Sequence, residues 1–325
     1  MEKVAIIIPY FQRESGILKR AVISALSQKT EAVIRIIVVD DGSPVTALSE
    51  LHEFSSFMPD KICVIQQVNA GVGSARNTGL DHVDPDTNYV AFLDSDDVWT
   101  DSHIEHARLA FRQGFDFYFA DHYQLNQETT AFKRAGRILI ENHPLIHPSA
   151  PIHEYSGDMF NQIITGNIIG TSTVVYNFPK LSNLRFRLDF HNAGEDYDFW
   201  IRLTSLTQRI AFSSVPECRY GSGVNLFANS GWGTDKYLNV AHDLLKYKKH
   251  VLKNFKLTGD QRALMVSAIR KHRIEYARGL LHNLVHNGCV DRRIVWKQLE
   301  LDPLTLLALA VAPGITIYER FRRAS

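Results

Sequence analysis

The sequence has few cysteines and no excess of either charge. Among its 325 residues are three cysteines, Cys63, Cys218 and Cys289, which lie far apart and form no Cys-x-x-Cys pair. This spacing excludes a disulfide framework and a thiolate zinc site built from neighbouring residues. The formal net charge of +1 argues against a dedicated nucleic-acid-binding protein, which is usually basic overall. The hydrophobic content of 45% is that of an ordinary globular protein.

The sequence also contains no long apolar run, and its first residues do not have the pattern of a signal peptide. The longest weakly polar stretch, residues 304–318, is interrupted by Pro313-Gly314 and is too short to span a bilayer core of about 30 Å. The N-terminal MEKVAIIIPY has neither a basic region nor a small-residue cleavage site, and it leads directly into an apolar strand. These absences predict a cytoplasmic protein.

Charge is unevenly distributed along the chain. From Lys236 to the C-terminus there are 17 basic and 7 acidic residues, whereas the first 235 residues contain 19 and 28. The basic part has a helical period, with breaks at 257–260 and near Asn287-Gly288. It is suited either to an anionic membrane surface or to solvent, with its terminal helix packed on the domain. Its clustered cations are Lys246, Lys248, Lys249, Lys253, Lys256, Arg320, Arg322 and Arg323.

The first 125 residues alternate between strand and helix patterns. Because strands separated by helix-length segments pair in parallel, this alternation predicts a parallel sheet with helices on both faces. A further strand at 172–176 and an amphipathic helix at 195–206 follow a less regular region. The predicted strands of the first part are 4–8, 33–39, 62–66 and 89–93, and the helices are 14–28, 45–57 and 73–82.

Acidic residues follow two of these strands. The second strand ends in DDGS at 40–43 and the fourth in DSDD at 94–97. Ligands bind at the carboxyl ends of the strands in such sheets, and five carboxylates there repel one another unless a cation joins them. Turn formation and helix capping are alternative explanations for DDGS and for one of the acids at 94–97. Three acids in the second cluster favour a hard divalent cation with oxygen ligands.

A glycine-containing loop follows the third strand. Gly71 and Gly73 open a helix and Asp94 lies further along, which partly matches a dinucleotide-binding fingerprint. However, Arg76 occupies the position of the third glycine, and the loop does not follow the first strand. The pattern therefore favours Arg76 as a cation beside a phosphate or a carboxylate over a nicotinamide-cofactor site.

Five motifs occur in an order that resembles the family 2 glycosyltransferases of the GT-A fold: IIIPYF, VVDDGS, NAGVGSARNTGL, FLDSDDVW and GEDYDFWIRL. The resemblance covers about residues 3–235. It implies an α/β, Rossmann-like, mostly parallel sheet flanked by helices over 1–233, with a nucleotide-sugar half to about 125 and an acceptor half from about 126. A helical C-terminal extension occupies 234–325. The segments 220–225 and 229–233 look more like a bacterial subgroup that builds succinoglycan-type exopolysaccharides.

This resemblance implies a nucleotide-sugar site at the strand ends. Pro9 and Phe11 would line the face of a uracil ring, and Asp41 would accept a hydrogen bond from its imide N–H. The family's Asp-x-Asp element is similar to Asp94-Ser95-Asp96, which would contact the ribose and hold Mn²⁺ or Mg²⁺ on the diphosphate. The metal ligands are predicted to be Asp96 and Asp97, and the nucleotide-sugar ligands are predicted to be Pro9, Phe11, Asp41, Arg76, Asp94, Ser95 and Asp96.

The resemblance also implies an acceptor side. Glu195-Asp196 matches the family's acidic pair, in which Asp196 would be the general base for the acceptor hydroxyl. Both acids would also complement a helix N-terminus, and the two roles are compatible. Asn167 is assigned to an acceptor-side segment and Trp232 to a sugar-stacking lid. A polar turn and a packed loop are the respective alternatives.

The leading hypothesis is an inverting, metal-dependent glycosyltransferase. It would move a sugar, with glucose favoured, from a UDP-sugar to a hydroxyl of a glycan or polyprenyl-linked oligosaccharide in bacterial exopolysaccharide or surface-polysaccharide biosynthesis. Peripheral contact with the inner membrane would involve the C-terminal region. A nucleotidyltransferase would require a phosphate-binding glycine loop where Pro9-Tyr10-Phe11 stands. A non-catalytic nucleotide or glycan binder would have lost the base, whereas Glu195-Asp196 is present.

Overall fold

In the computed structural model, nine strands between residues 3 and 219 form one mixed sheet. The structure describes residues 1–224, 230–286 and 290–312, except for the side chains of 55–57 and 235. The strands are β1 Lys3–Tyr10, β2 Val33–Asp40, β3 Ile62–Gln66, β4 Tyr89–Phe92, β5 Val98–Trp99, β6 Phe117–Tyr123, β7 Ile152–Glu154, β8 Val175–Asn177 and β9 Ile210–Arg219. Their order is β3-β2-β1-β4-β8-β6-β9-β5, with β7 also pairing with β9.

The first four strands form the predicted parallel half of the sheet. β1 pairs in parallel with β2 and β4, and β2 pairs in parallel with β3. Ile6, Ile7 and Ile8 of β1 have no exposed surface, as expected for a continuous apolar strand covered on both faces. The parallel pairing places the carboxyl ends of these strands at one edge of the sheet, where the acidic motifs follow β2 and β4.

The helices pack beside the strands or lie in the C-terminal region. They are α1 Ile17–Leu26, α2 Ala47–Phe57, α3 Val72–Asp81, α4 His103–Arg112, α5 Ala131–Ala135, α6 Met159–Gly166, α7 Phe178–Leu181, α8 Glu195–Leu206, α9 Asp235–Asn254, α10 Gly259–His286 and α11 Arg292–Leu301. The helix predicted at 195–206 is therefore confirmed as α8.

The strand predicted at 172–176 is displaced. Thr171–Thr173 forms a 3₁₀ turn, and β8 begins at Val175 and runs antiparallel to both β4 and β6. Ser172 leaves the strand because its hydroxyl is engaged by the acidic segment after β4. Insertion of β8 makes the sheet mixed, and the local pattern identified neither its neighbour β6 nor β9, the strand beyond β6.

The described chain divides into two compact units. The first comprises Met1–Leu188 with Glu195–Val224, and the second comprises Asp189–Gly194 with the described residues after 224. Trp232, which was predicted to lie in the acceptor half, belongs to the second unit. The boundary predicted between 233 and 234 thus lies within that unit.

Helices α9, α10 and α11 make up most of the second unit and pack around Leu238, Tyr276, Leu280 and Ile294. The predicted break at 257–260 is confirmed, since α9 ends at Asn254 and α10 begins at Gly259. The break near Asn287-Gly288, Cys289 and the arginines at 320, 322 and 323 lie outside the described residues. None of the described helices combines the length and apolarity that a bilayer crossing requires.

The predicted lysine cluster on α9 is not a single solvated face. Lys246 donates to the Asp189 carbonyl at 2.5 Å, and Lys249 donates to the Leu301 carbonyl at 2.5 Å. Burial lowers the pKa of Lys248 to about 8. Only Lys253 and Lys256 of this set are exposed. Three of the five lysines therefore serve the packing of the unit.

Candidate active site

The DDGS turn after β2 divides its two aspartates between different tasks. Asp40 is buried, and its carboxylate accepts from the Ser43 N–H and the Ala47 N–H, both at 2.8 Å. These bonds close the turn and support the start of α2. Asp40 is therefore a structural residue, in agreement with the turn explanation for this part of the motif.

Asp41 holds the glycine loop that follows β3. Its Oδ1 accepts from the Ala70 N–H at 2.8 Å and Gln67 Nε2 at 2.7 Å, and its Oδ2 accepts from the Gly71 N–H at 2.9 Å. A carboxylate offers about four lone-pair directions, so these three bonds leave acceptor capacity for one more donor. The structure thus brings the ends of β2 and β3 together around Asp41.

The segment after β1 contributes a residue that the sequence analysis missed. Pro9 is buried within β1 and Phe11 is partly exposed just beyond it. The next residue, Gln12, is buried, and its Nε2 donates to Ser95 Oγ at 3.1 Å. Its Oε1 accepts from the Val224 N–H at 2.8 Å. Gln12 therefore joins the ends of β1, β4 and β9, and a single glutamine after a strand carries no local signal of this.

Arg76 is the central cation of this edge of the sheet. Arg76 lies in the middle of α3 and is 3% exposed, and its Nη2 lies 2.8 Å from Asp94 Oδ1. Its Nη1 lies 3.4 Å from Glu195 Oε1, and its guanidinium lies 5.2 Å from the centre of the Phe186 ring. The structure thus confirms Arg76 as a cation beside carboxylates and links the Asp-x-Asp element to the acidic pair of α8.

The three acids of the DSDD segment have different surroundings. Asp94 is partly exposed, whereas Asp97 is buried, with Oδ1 accepting from the Gly221 N–H at 3.0 Å and Oδ2 accepting from Ser172 Oγ at 2.5 Å. Asp96 Oδ2 accepts from the Gly223 N–H at 2.8 Å. Burial and the charge of Asp94 raise the pKa of Asp96 to about 6, and burial with the charges of Asp94 and Asp96 raises that of Asp97 well above its usual range.

These surroundings decide which acids suit a metal. Both oxygens of Asp97 are engaged inside the fold, so Asp97 is better suited to position its neighbours than to coordinate a cation. Asp94 and Asp96 keep oxygens outside these bonds. Burial first and the charge of Asp94 second raise the pKa of Asp96, and a divalent cation would offset both effects. Among the described residues, no three acidic, histidine or cysteine side chains already form a complete ligand group. Two hard oxygen donors fit Mg²⁺ or Mn²⁺ whose remaining ligands are phosphate and water.

The acidic pair occupies the start of α8. Glu195 is buried against Arg76, and Asp196 Oδ1 accepts from the Tyr197 N–H at 2.8 Å. Burial and the neighbouring Glu195 carboxylate raise the pKa of Asp196 to about 8, although Arg76 opposes this shift. A carboxylate with such a proton affinity is suited to accept a proton from a hydroxyl near neutral pH.

The two residues assigned to the acceptor side lie in different units. Asn167 ends α6, and its side chain donates to the Ile169 carbonyl at 2.9 Å and accepts from the Ile169 N–H. Trp232 is half exposed in the second unit, with its ring 5.2 Å from that of Tyr237. The first arrangement agrees with a polar turn. The acceptor roles of both residues stay predictions.

Ser172, Gly221 and Gly223 were not predicted as site residues from the sequence. Ser172 Oγ accepts from the Asp94 N–H at 2.9 Å while it donates to Asp97, so it sets the positions of both acids. A Cβ at Gly221 would lie 1.7 Å from the Asp96 carbonyl oxygen, and one at Gly223 would lie 2.7 Å from Asp96 Cβ. The Gly-x-Gly spacing was visible, but only the fold reveals its close approach to Asp96.

The sequence model of glycosyl transferase family 2 matches residues 5–179, which include β1, the DDGS turn, the glycine loop and the DSDD segment. The chain belongs to glycosyl transferase family 2. This family 2 chain is 29% identical over 290 residues to the succinoglycan biosynthesis protein ExoW of Rhizobium meliloti, covering 83% of this chain and 89% of that protein.

Solved structures agree on the fold. The chain resembles residues 1–349 of S. aureus TarS in complex with UDP, with a TM-score of 0.59 and 16% identity, covering 99% of this chain and 92% of that one. It also resembles the mannosyltransferase PcManGT from Pyrobaculum calidifontis in complex with GDP-Man and Mn²⁺, with a TM-score of 0.54 and 13% identity, covering 98% and 82%. The family 2 chain therefore has the GT-A fold predicted from its motifs.

Proposed function

We propose that this family 2 glycosyltransferase transfers a sugar from a UDP-sugar to an acceptor hydroxyl with inversion at the anomeric carbon. The observation that carries the proposal is the bridge from Asp94 through Arg76 to Glu195. It joins a donor-side acidic segment to the acidic pair that would supply the base. A single buried guanidinium thus fixes both halves of the reaction centre in one arrangement.

The nucleotide site is proposed at the ends of β1 and β2. The unused acceptor capacity of Asp41 suits the imide N–H of uracil, and Pro9 and Phe11 are the residues proposed to line the face of the ring. Ser95 and Asp94 would contact the ribose. The UDP complex of TarS, a structure with the same fold, supports UDP as the nucleotide.

Asp94 and Asp96 are the proposed ligands of Mg²⁺ or Mn²⁺. A bound divalent ion would act as a Lewis acid and neutralise charge on the departing diphosphate. Asp97 positions this pair through Ser172 and Gly221. The Mn²⁺ present with PcManGT supports this assignment by likeness of fold.

Asp196 is the proposed general base. As the acceptor oxygen forms its bond to the anomeric carbon, the bond from that carbon to the diphosphate oxygen breaks and the hydroxyl proton passes to the Asp196 carboxylate. Attack on the face opposite the leaving group inverts the configuration. Glu195 remains paired with Arg76 and keeps the start of α8 in place.

Transfer within exopolysaccharide or surface-polysaccharide biosynthesis is supported by the likeness to ExoW. The proposed acceptor is a glycan or polyprenyl-linked oligosaccharide, and the favoured transferred sugar is glucose. A cytoplasmic location with peripheral membrane contact fits such an acceptor. In the second unit, Trp296 is 68% exposed and Leu307 is 65% exposed, and Arg292 and Lys297 are exposed on α11. Exposed apolar and basic side chains of this kind suit an anionic bilayer surface.

Calorimetric titration with UDP, with and without Mn²⁺, tests the proposal. We expect metal-dependent binding that Asp96→Ala weakens and Asp196→Ala preserves, together with loss of sugar transfer in both variants. NAD⁺ serves as the nucleotide control. Absence of UDP binding under any metal would refute the donor site, whereas UDP binding without turnover of any UDP-sugar would favour a non-catalytic binder.

A further inference from the structure

Tyr220 follows β9 directly, opens the segment 220–225 and lies beside the acidic segment, and none of the roles proposed above involves its side chain. The next residue, Gly221, donates its N–H to Asp97 Oδ1 at 3.0 Å, and the preceding residue, Arg219, pairs with Val98, which follows Asp97 in sequence. The backbone on either side of Tyr220 is thus anchored to the DSDD segment. The Tyr220 side chain therefore starts from backbone that lies next to the DSDD segment.

The Tyr220 ring has a buried aromatic support. His122 at the end of β6 is 2% exposed, and its ring stacks on that of Tyr220 with centres 4.7 Å apart and planes inclined by 21°. Burial lowers the pKa of His122 to about 4, so the ring is neutral at physiological pH. Its Nδ1 has no hydrogen-bond partner among the described residues. A neutral imidazole face is suited to hold a phenol ring in one orientation.

Gly170 fixes where the phenol oxygen lies. A Cβ at Gly170 would stand 2.4 Å from Tyr220 Oη and 2.9 Å from His122 Cε1, so the pair requires a glycine there. Gly170 immediately precedes the 3₁₀ turn whose Ser172 hydroxyl bonds to Asp97. The hydroxyl of Tyr220 is therefore located at the turn that positions the donor-side acids.

The contacts of Tyr220 connect the two proposed halves of the reaction centre. The neighbouring Gly221 bonds to Asp97 on the donor side, and the Tyr220 hydroxyl meets Gly170, which follows Asn167 in the segment assigned to the acceptor side. After burial, the charges of Asp97, Asp94 and Asp196 are among the causes that raise the pKa of Tyr220, so the phenol remains a protonated donor. In a direct displacement, the transferred sugar lies between the diphosphate and the base. A hydroxyl between the DSDD segment and the turn after Asn167 is on the side of the site where that sugar would bind.

We propose that Tyr220 donates a hydrogen bond to a hydroxyl of the transferred sugar, with His122 as the positioning residue that holds its ring. This inference rests on the proposed function and deepens it by naming a residue that recognises the sugar part of the donor. Among the described residues, none accepts a hydrogen bond from Tyr220 Oη, so its donor capacity is available to a ligand.

The test compares Tyr220→Phe with the matched control Tyr123→Phe. Tyr123 lies on the neighbouring strand, and its carbonyl accepts from the Tyr220 N–H at 2.9 Å, but its ring stands against Arg219 instead of Gly170. The donor is whichever of UDP-glucose, UDP-galactose and UDP-GlcNAc the wild-type enzyme turns over. The inhibition constant of UDP, which lacks the sugar, measures binding of the nucleotide part alone.

For Tyr220→Phe we expect KM for the UDP-sugar to rise about tenfold, as for the loss of one hydrogen bond, with the inhibition constant of UDP within about twofold. Tyr123→Phe should match the wild type in both quantities. Gly170→Ala, which displaces the phenol, should likewise raise KM for the UDP-sugar and leave the inhibition constant of UDP unchanged. His122→Ala should also raise KM for the UDP-sugar, whereas His122→Phe, which keeps a stacking ring, should restore it.

Three results would overturn the inference. The first is an equal KM for the UDP-sugar in Tyr220→Phe and Tyr123→Phe. The second is an inhibition constant of UDP that rises as much as KM for the UDP-sugar. The third is a change in KM for the acceptor alone. A wild-type enzyme that neither binds UDP nor turns over a UDP-sugar would instead refute the proposed function, so the two failures are distinguishable.

Discussion

The Arg76 guanidinium lies 2.8 Å from Asp94 Oδ1, although the two residues are 18 positions apart in sequence. Its other terminal nitrogen meets Glu195, 119 residues away. The buried Glu195 depends on this cation, because a buried charge without a partner is strongly unfavourable, and the partly exposed Asp94 is anchored by it. The ion pairs of Arg76 therefore connect distant segments of the fold as well as the two halves of the proposed reaction centre.

Replacing Arg76 by methionine should lower both stability and donor binding. We expect the free energy of unfolding in urea to fall by about 2–4 kcal/mol, since the variant leaves Glu195 buried without its cation. UDP binding should weaken as Asp94 loses its anchor. Arg35→Met is the matched control, because the Arg35–Asp84 pair is partly exposed on both sides and should contribute less than about 1 kcal/mol. Equal losses in the two variants would contradict the role given to Arg76.

The rate of transfer should depend on the ionisation of Asp196. Its raised pKa of about 8 means that the fraction able to accept a proton increases as pH rises from 6 to 9. We expect kcat/KM to climb through this range and to level off above the pKa. Asp196→Asn should lower kcat by at least about a hundredfold and remove the increase of kcat/KM with pH, while UDP binding persists. An unchanged pH profile in the variant would exclude Asp196 as the base.

Glu217 should be a major source of core stability. Its buried carboxylate accepts from His103 at 2.8 Å, His106 at 2.6 Å and the Tyr118 hydroxyl at 2.8 Å. Burial alone would raise the pKa of Glu217, but these partners lower it to about 2. Burial alone would lower the pKa of His106, but Glu217 raises it. We expect Glu217→Gln to cost about 3 kcal/mol of unfolding free energy near pH 6.

This cost should depend on pH in a defined direction. Because the folded pKa of His106 is raised, its contribution is fully present below about pH 6.5 and is lost as pH rises through the folded value. The difference between wild type and Glu217→Gln should therefore shrink between pH 6 and pH 9, as measured by urea denaturation. A constant difference over that range would show that His106 is not charged in the cluster.

Gly221 should tolerate no side chain. An alanine Cβ would lie 1.7 Å from the Asp96 carbonyl oxygen, so either residue 221 or the DSDD segment must move. We expect Gly221→Ala to weaken metal-dependent UDP binding by at least about tenfold and to destabilise the fold by about 1–3 kcal/mol. Gly259→Ala is the control, since nothing lies within 4 Å of its Cβ position. Similar UDP affinity in both variants would contradict the close approach seen here.

Membrane contact should involve the exposed side chains of the second unit. Trp296→Ser together with Leu307→Ser should reduce binding to vesicles of phosphatidylglycerol and phosphatidylcholine by about tenfold, because two apolar side chains no longer enter the interface. Phosphatidylcholine vesicles alone should bind weakly, since they lack the anionic headgroups. A wild-type protein that remains in solution with anionic vesicles would refute the contact.

The sequence by itself determined the parallel strands β1 to β4, helix α8 and the ordered motifs that identify the family. These features follow from local rules, since apolar periodicity, turn residues and strand-end acids reflect backbone geometry over a few residues. Asp41, Arg76, the DSDD segment and Glu195-Asp196 were therefore visible before the fold was known.

Only the tertiary structure decided how these residues divide their tasks. The insertion of β8 beside β4 brings Ser172 to Asp94 and Asp97, and the return of β9 brings Gly221 and Tyr220 to the same place. Such contacts join segments far apart in sequence, and their geometry depends on the strand order of the whole sheet. Local patterns carry no information about that order, which is why Gln12, Ser172 and Tyr220 emerged only from the fold.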